Sequence, residues 1–296
     1  MNEYPLVSVI IPCYNRQDYI SQTVDSVLIQ TWPNIELIVI DDGCTDNSRQ
    51  ILESFGNRIR VLEHSGCINK GQSAAINVGL NAAKGDYISI LDSDDLFLPQ
   101  KIEKQISYFL NHPDCGLVYS NGYRIDERGN ITSEFYPPTH QEKSLPENVL
   151  LDCYFLLPNN ALVRRDVYKT AGFFDESLRS AQDHDMAIRI AEVTNLAYLD
   201  NYLFCYRQHK NSISQTKAKL RWMNGFIILK KASVRYSYSR CIVRKRAAVL
   251  YFRLGQCAWE DREYLKAAWS FICAGVNDPL RSLSVLMRKE TISSPH

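Results

Sequence analysis

Three acidic clusters and one late basic run hold the residue types that could do chemistry in this chain. Asp92-Ser93-Asp94-Asp95 puts three carboxylates within four residues, directly after the apolar run Tyr87 to Leu91. Like charges this close repel, and holding them together costs free energy unless a cation or strong donors compensate. A hard divalent cation takes oxygen ligands, and Mg²⁺ commonly bridges one or two carboxylates to phosphates. The competing reading is a solvated turn or a helix N-cap, because Asp95 precedes a helix-like stretch around Lys101 to Leu110. Asp41 and Asp42 follow a second apolar run, Ile35 to Ile40. A carboxylate there can accept hydrogen bonds from a base or a ribose, or it can serve the Asp-Asp-Gly turn alone. Asp183 and Asp185 stand ahead of the helical stretch MAIRIAE, where an Asp is either a cap or, near an acceptor hydroxyl, a general base. Arg207, His209 and Lys210 follow a strand-like run, and a histidine beside cations is a metal ligand, a diphosphate contact or a structural residue. No G-x-G-x-x-G opens a helix and there is no Walker-type loop, so any nucleotide must be held through a metal rather than a glycine cradle.

The elements that must position these residues alternate. Leu6 to Ile11 reads as a buried strand ended by Pro12, and Asp18 to Gln30 has apolar residues at helical spacing. Ile35 to Ile40 is a second buried strand, Asp46 to Phe55 a helix, and Arg58 to Glu63 a third strand. An alanine-rich helix over Gly71 to Ala83 and a fourth strand over Tyr87 to Leu91 follow. This βαβ rhythm predicts a mostly parallel sheet with helices on both faces. Ligands bind such sheets at the carboxyl ends of the strands, so the two acidic strand ends should meet at one edge. Beyond Gly116 the pattern loosens. Strands are predicted over Leu117 to Tyr123, Asn160 to Arg164 and Leu199 to Tyr206, a helix over Asp183 to Glu192, and a loop over Thr132 to Pro146.

Composition sets the outer bounds. The chain has 296 residues, 45% apolar and 23% charged, which is ordinary for a globular protein with a real core. A formal net charge of +1 gives no reason to expect a nucleic-acid partner. Nine scattered cysteines without a CxxC pair fit a reduced, cytoplasmic compartment better than a disulfide framework. The N-terminus lacks a basic n-region, and no apolar run approaches the ~20 residues of a membrane span.

Six blocks in order resemble the family 2 glycosyltransferases, inverting enzymes of the GT-A fold. They are VSVIIPCYN (Val7 to Asn15), VIDDGCTD (Val39 to Asp46), NKGQSAAINVGL (Asn69 to Leu80), GDYISILDSDD (Gly85 to Asp95), QDHDMAIR (Gln182 to Arg189) and YRQHKNSIS (Tyr206 to Ser214). The resemblance implies an α/β catalytic domain of the GT-A type over residues 1–216. It also implies transfer of a sugar from a nucleotide-diphosphate sugar to an acceptor hydroxyl, on a carbohydrate or lipid-linked acceptor in polysaccharide, lipopolysaccharide or glycan assembly, with Mn²⁺ or Mg²⁺. By the same resemblance, Pro12, Tyr14 and Asn15 lie beside the nucleoside, Asp42 contacts the base, and Lys70, Asp92 and Ser93 belong to the nucleotide-sugar site. Asp94 matches the metal-binding Asp of the DxD motif, His209 completes the metal or phosphate contacts, and Asp183 matches the catalytic base. One residue departs: the family usually carries Glu before that base, and here it is Gln182. Losing a neighbouring negative charge would lower the pKa of Asp183 and weaken it as a base.

Residues 217–296 read as a small all-helical extension. Tyr251, Leu254, Gly255, Ala258, Tyr264, Ala267, Phe271, Ala274 and Pro279 fall at the spacing of one tetratricopeptide-like repeat, or of a generic helical hairpin. Between Asp200 and Glu260 there is no acidic residue, and cations mix with apolar residues over 217–246. That stretch is either a solvated helix face or a peripheral contact with the inner, anionic membrane surface. Two other functional classes compete with sugar transfer. A sugar nucleotidyltransferase would need a glycine-rich, lysine-bearing loop after Ile11, which is missing; a degenerate domain serving as a scaffold has Gln182 as its support.

Overall fold

The computed structural model describes residues 4–153, 155–156, 158–209 and 218–287. It divides into two compact units, Met1–Leu145 with Tyr154–His209, and Pro146–Cys153 with Lys210–His296. The helical unit therefore takes in Pro146–Cys153, a segment that the sequence reading places with the sheet.

Among the described residues, the first unit is built on a nine-stranded sheet. Its first half is the expected alternation: β1 (Val7–Cys13), α1 (Ile20–Leu28), β2 (Ile35–Asp41), α2 (Ser48–Ser54), β3 (Arg60–Glu63), α3 (Gln72–Ala82) and β4 (Tyr87–Ile90). These strands lie in the order 3-2-1-4 and all pair in parallel. β1 and β4 are buried along their whole length, which is why both read as unbroken apolar runs rather than alternating ones. The second half mixes directions: β5 (Leu96–Phe97), α4 (Lys101–Asn111), β6 (Cys115–Ile125), β7 (Ile131–Glu134), β8 (Ala161–Arg164), α6 (Arg165–Ala171), α7 (Gln182–Ala191) and β9 (Asn195–Arg207). β8 runs antiparallel between β4 and β6, β9 is parallel to β6, and β5 and β7 add antiparallel edges.

Two expectations needed correction. β1 does not stop at Pro12 but runs on to Cys13. Ile10 faces β4, since its carbonyl accepts from Leu91 N at 2.9 Å, so by the two-residue period of a strand Pro12 faces the same way. Pairing with β4 has ended by then, and no ladder bond needs the N–H that proline lacks. The stretch Thr132 to Pro146, read as loop, begins inside β7 and ends at the first residue of α5 (Pro146–Leu151), where a proline costs no helical hydrogen bond.

A buried lysine fastens α4 beneath β4. Lys101 Nζ donates to Gln105 Oε1 at 2.8 Å, Ser89 Oγ at 3.2 Å and Ala161 O at 3.3 Å, and lies 4.3 Å from the Phe97 ring centroid. Burial with no carboxylate beside it pushes its pKa well down.

The second unit is helical: α5, α8 (Ala218–Arg235), α9 (Arg240–Glu260), α10 (Tyr264–Asn277) and α11 (Pro279–Leu286). Ser239 caps α9 and Asp278 caps α11 through side-chain oxygens. α9 and α10 form a hairpin at the tetratricopeptide-like spacing, with Ala258, Ala267 and Ala274 buried and Gly255 leaving room for the Phe271 ring. On α8, Leu220, Met223, Ile227 and Val234 are exposed at helical spacing on one face. Among the described residues no helix is long and apolar enough to cross a membrane.

Candidate active site

Parallel pairing brings the carboxyl ends of β2, β1 and β4 to one edge of the sheet, and the acidic clusters sit there. The segment after β4 is a tight turn closed by Asp95 N to Asp92 O at 3.1 Å. Thr23 on α1 bonds its hydroxyl to the carbonyls of Ser93 (3.1 Å) and Asp95 (2.9 Å). Asp95 points inward, accepting from Asn159 Nδ2 and, at 2.7 Å, from Arg207 N. Burial, then the charges of Asp94 and Asp92, push its pKa well above the carboxylate range. Arg207, itself buried, grips the turn from β9: Nε donates to Asp94 O at 2.8 Å, Nη1 to Asp126 O and Glu127 O, and Nη2 to Gln22 Oε1 at 3.0 Å. Ser93 is buried, whereas Asp92 and Asp94 remain half-buried at the edge.

Asp94 Oδ2 is held by two nitrogens, His209 Nε2 at 2.9 Å and Arg16 Nε at 3.0 Å. Burial pushes Asp94 up, but the His209 bond and the Arg16 charge outweigh it and keep the carboxyl below its ordinary range. Asp92 goes the other way. Burial first, then the charges of Asp94 and Asp183, raise its pKa to about 7. Asp183 therefore lies within electrostatic reach of Asp92, although the two are 91 positions apart in the chain. It is in the first turn of α7, whose positive dipole end favours a carboxylate, and the chain enters that helix through Ala181 in the left-handed region at φ 63°. One side of Asp183 borders a cavity of about 30 Å³ walled by Ile90, Pro158, Met186 and Ile190.

The β2 end is organised differently. Asp42 is buried, and its two oxygens accept from the backbone N–H groups of Lys70 (2.7 Å) and Gly71 (2.9 Å), with His64 Nε2 3.1 Å away. Gly43 adopts φ 75° where a Cβ would stand 2.7 Å from Asn69 N, so the Asp-Asp-Gly turn can close on the 67–69 loop only with glycine. Asp42 thus ties the loop that starts α3 to the end of β2. Asn15, with φ 51°, exchanges bonds with Thr45, while Tyr14 is exposed beside it. Pro12 is buried in β1, and the Lys70 side chain is exposed.

Of the residues singled out from sequence, Asp92, Asp94, Asp183 and His209 are gathered at one place, with Ser93 in the turn between the first two. Asp42 reaches them through α3: Gly71 N bonds Asp42, and Gln72 Nε2 bonds Asp92 Oδ1 at 2.6 Å. Lys210 to Ser214, the remainder of the late block, lie outside the described residues. Arg16 and Gln72 are site residues that the sequence reading passes over. Each stands next to or inside a quoted block, so its position was visible, but its partner depends on the tertiary fold.

Among the described residues no group of three or more His, Cys, Asp or Glu side chains is arranged to hold a metal ion. Asp94 and His209 do offer a carboxylate oxygen and an imidazole nitrogen 2.9 Å apart, beside a second, crowded carboxylate. That donor set fits Mn²⁺ or Mg²⁺ when phosphate oxygens fill the remaining positions. As a ligand, His209 would present Nε2 without the proton that bridges to Asp94 here.

Known proteins resemble this chain in sequence and in fold. The glycosyltransferase GlyG of Streptococcus pneumoniae is 31% identical over 245 residues, covering 75% of this chain and 77% of its own. The structure of S. aureus TarS 1-349 in complex with UDP-GlcNAc superposes with a TM-score of 0.63 at 17% identity, covering 96% of this chain and 92% of the other. The mannosyltransferase PcManGT from Pyrobaculum calidifontis, in complex with GDP-Man and Mn²⁺, gives a TM-score of 0.63 at 16% identity, covering 97% and 80%. The first unit has the GT-A fold. The profile of glycosyl transferase family 2 matches residues 8–172, more than half of the chain, and the protein belongs to that family.

Proposed function

We propose that this family 2 glycosyltransferase moves a sugar from a nucleotide-diphosphate donor to an acceptor hydroxyl with inversion, in the assembly of a polysaccharide, lipopolysaccharide or other glycan. The observation that carries the reading is the convergence of Asp92, Asp94 and Asp183 at the carboxyl edge of β1, β2 and β4, with Arg16 and His209 on Asp94. In this reading Asp183 accepts the proton of the attacking hydroxyl. Displacement from the face opposite the departing diphosphate inverts the anomeric centre. Arg16, paired with Asp94, would offset the negative charge that grows on the leaving group. Pro12, Tyr14, Asn15, Asp42, Lys70, Asp92 and Ser93 frame the nucleotide side. Asp94 and His209 would hold Mn²⁺ or Mg²⁺, which when bound supplies Lewis-acid stabilisation of the diphosphate. Complexes of neighbours with UDP-GlcNAc and with GDP-Man and Mn²⁺ support a nucleotide-sugar donor and a divalent ion.

The test is a thermal-shift screen of UDP, GDP and dTDP with and without Mn²⁺, followed by transfer assays with the matching sugars. A ligand that binds the native state at 100 times its Kd stabilises it by about 2.7 kcal/mol. A Mn²⁺-dependent shift that disappears in Asp94→Ala is expected. The same shift in the variant as in the wild type refutes the metal assignment, and no shift or transfer with any donor refutes the functional reading. The basic, partly apolar face of α8 supports peripheral attachment to an anionic membrane surface through 217–246, on the cytoplasmic side.

A further inference from the structure

Two glutamines stand between the acidic turn and the start of α7. Gln182 Nε2 donates to Gln72 Oε1 at 2.7 Å, and Gln72 Nε2 donates to Asp92 Oδ1 at 2.6 Å. The chain of bonds has a direction, and its end sets it. Asp92 Oδ1 accepts from the Gln72 amide nitrogen, and this contact fixes which end of that amide faces it. The Gln72 carbonyl must then face Gln182, and residue 182 must present a donor. An amide can do this and an ionised carboxylate cannot. Glu at 182 would oppose the Gln72 carbonyl, or would turn Gln72 over and set that carbonyl against Asp92. Either leaves two acceptors facing each other in a half-buried site, besides adding a charge next to Asp92 and Asp183.

The other end of Gln182 is unsatisfied. Its Oε1 is buried and has no hydrogen-bond partner among the described residues. Because the relay fixes the amide, that oxygen cannot exchange places with the nitrogen. It is a preset acceptor one residue from Asp183, at the mouth of a helix. A buried acceptor of this kind is costly unless a ligand satisfies it.

We propose that Gln72 and Gln182 form a directional amide relay that positions Asp92 and presents the Gln182 carbonyl to a sugar hydroxyl beside Asp183. Gln182 is then a specialised residue and not a damaged glutamate. The proposal rests on the glycosyl-transfer reading above for the identity of the hydroxyl, but the relay itself belongs to the unliganded protein. Restoring the usual family residue with Gln182→Glu therefore lowers kcat at least about tenfold, a barrier increase of about 1.4 kcal/mol. Gln182→Met, which keeps the shape but removes donor and acceptor, raises KM for the sugar substrate more than it lowers kcat. Independently of activity, the relay predicts coupling in urea unfolding. The midpoint shift of Gln72→Leu/Gln182→Met should be clearly smaller than the sum of the two single shifts.

Three results would overturn it. Wild-type or higher turnover in Gln182→Glu removes the positioning role. An unchanged KM in Gln182→Met removes the hydroxyl contact. Strictly additive midpoint shifts remove the relay, whatever the activity. If the wild-type protein transfers from no donor, the hydroxyl contact falls with the glycosyl reading, and the unfolding cycle still decides the relay.

Discussion

Replacing Arg207 with lysine keeps the charge and removes the fork, and the structure allows the loss to be estimated. The guanidinium reaches three corners: Asp94 O through Nε, the carbonyls of Asp126 and Glu127 through Nη1, and Gln22 Oε1 through Nη2. A lysine ammonium occupies one point and can keep one corner. Hydrogen bonds to a charged donor are worth about 1.5–3 kcal/mol each, so losing two corners costs about 3–6 kcal/mol in the absence of water. Glu127 and Gln22 are exposed, so water recovers part of this, whereas Asp94 O lies in the buried grip of the turn. The ring of Tyr19, 4.9 Å from the guanidinium carbon, also loses its stacking partner. A net destabilisation of about 2–4 kcal/mol is expected, read as a lower midpoint in urea unfolding followed by circular dichroism. Nucleotide affinity should fall in the same variant, because the turn that presents Asp92 and Asp94 loses its anchor. A stability change under about 0.5 kcal/mol with unchanged nucleotide binding would show that backbone contacts alone hold the turn.

Lys101→Met should flatten the pH dependence of stability. The folded-state pKa of Lys101 lies below its ordinary value of 10.5, so below that pH the unfolded chain binds the extra proton and folding is penalised. In the wild type this penalty fades as pH rises towards 10.5; in the variant that rise should be absent, and a rise of equal size in both proteins refutes the assignment. For membrane attachment, co-sedimentation with vesicles containing anionic phospholipid is expected, weakened by added salt and by Met223→Ser/Ile227→Ser on α8; equal recovery with neutral vesicles, or no effect of the double substitution, sinks it.

The amino-acid sequence was most informative where physics is local. The runs LVSVII and YISIL announce buried parallel strands because nearly every residue in them must avoid water; β1 and β4 fall on them, with β1 running on through Pro12 to Cys13. α3 and α4 fall within a residue or so of their expected bounds for the same reason. The irregular half was harder. β8 is only four residues long, and its place between β4 and β6 depends on partners 42 or more positions away, which no window of sequence reveals.

The candidate site divides along the same line. Its carboxylates were legible one by one, since a strand ending in Asp-Ser-Asp-Asp advertises its own cost. The environment of each carboxylate depends on neighbours brought from elsewhere in the chain. Asp94 is held low by His209 and Arg16, Asp95 is buried against Asn159, and Asp92 is raised by burial and then by the charges of Asp94 and Asp183, and linked through Gln72 to Gln182. Residue type and local order thus determined the fold family and the list of acids. Only tertiary structure decided the direction in which each pKa moves and the partners each side chain meets, Gln182 included. Desolvation and through-space charge depend on distance in the folded molecule, and separation along the chain does not report that distance.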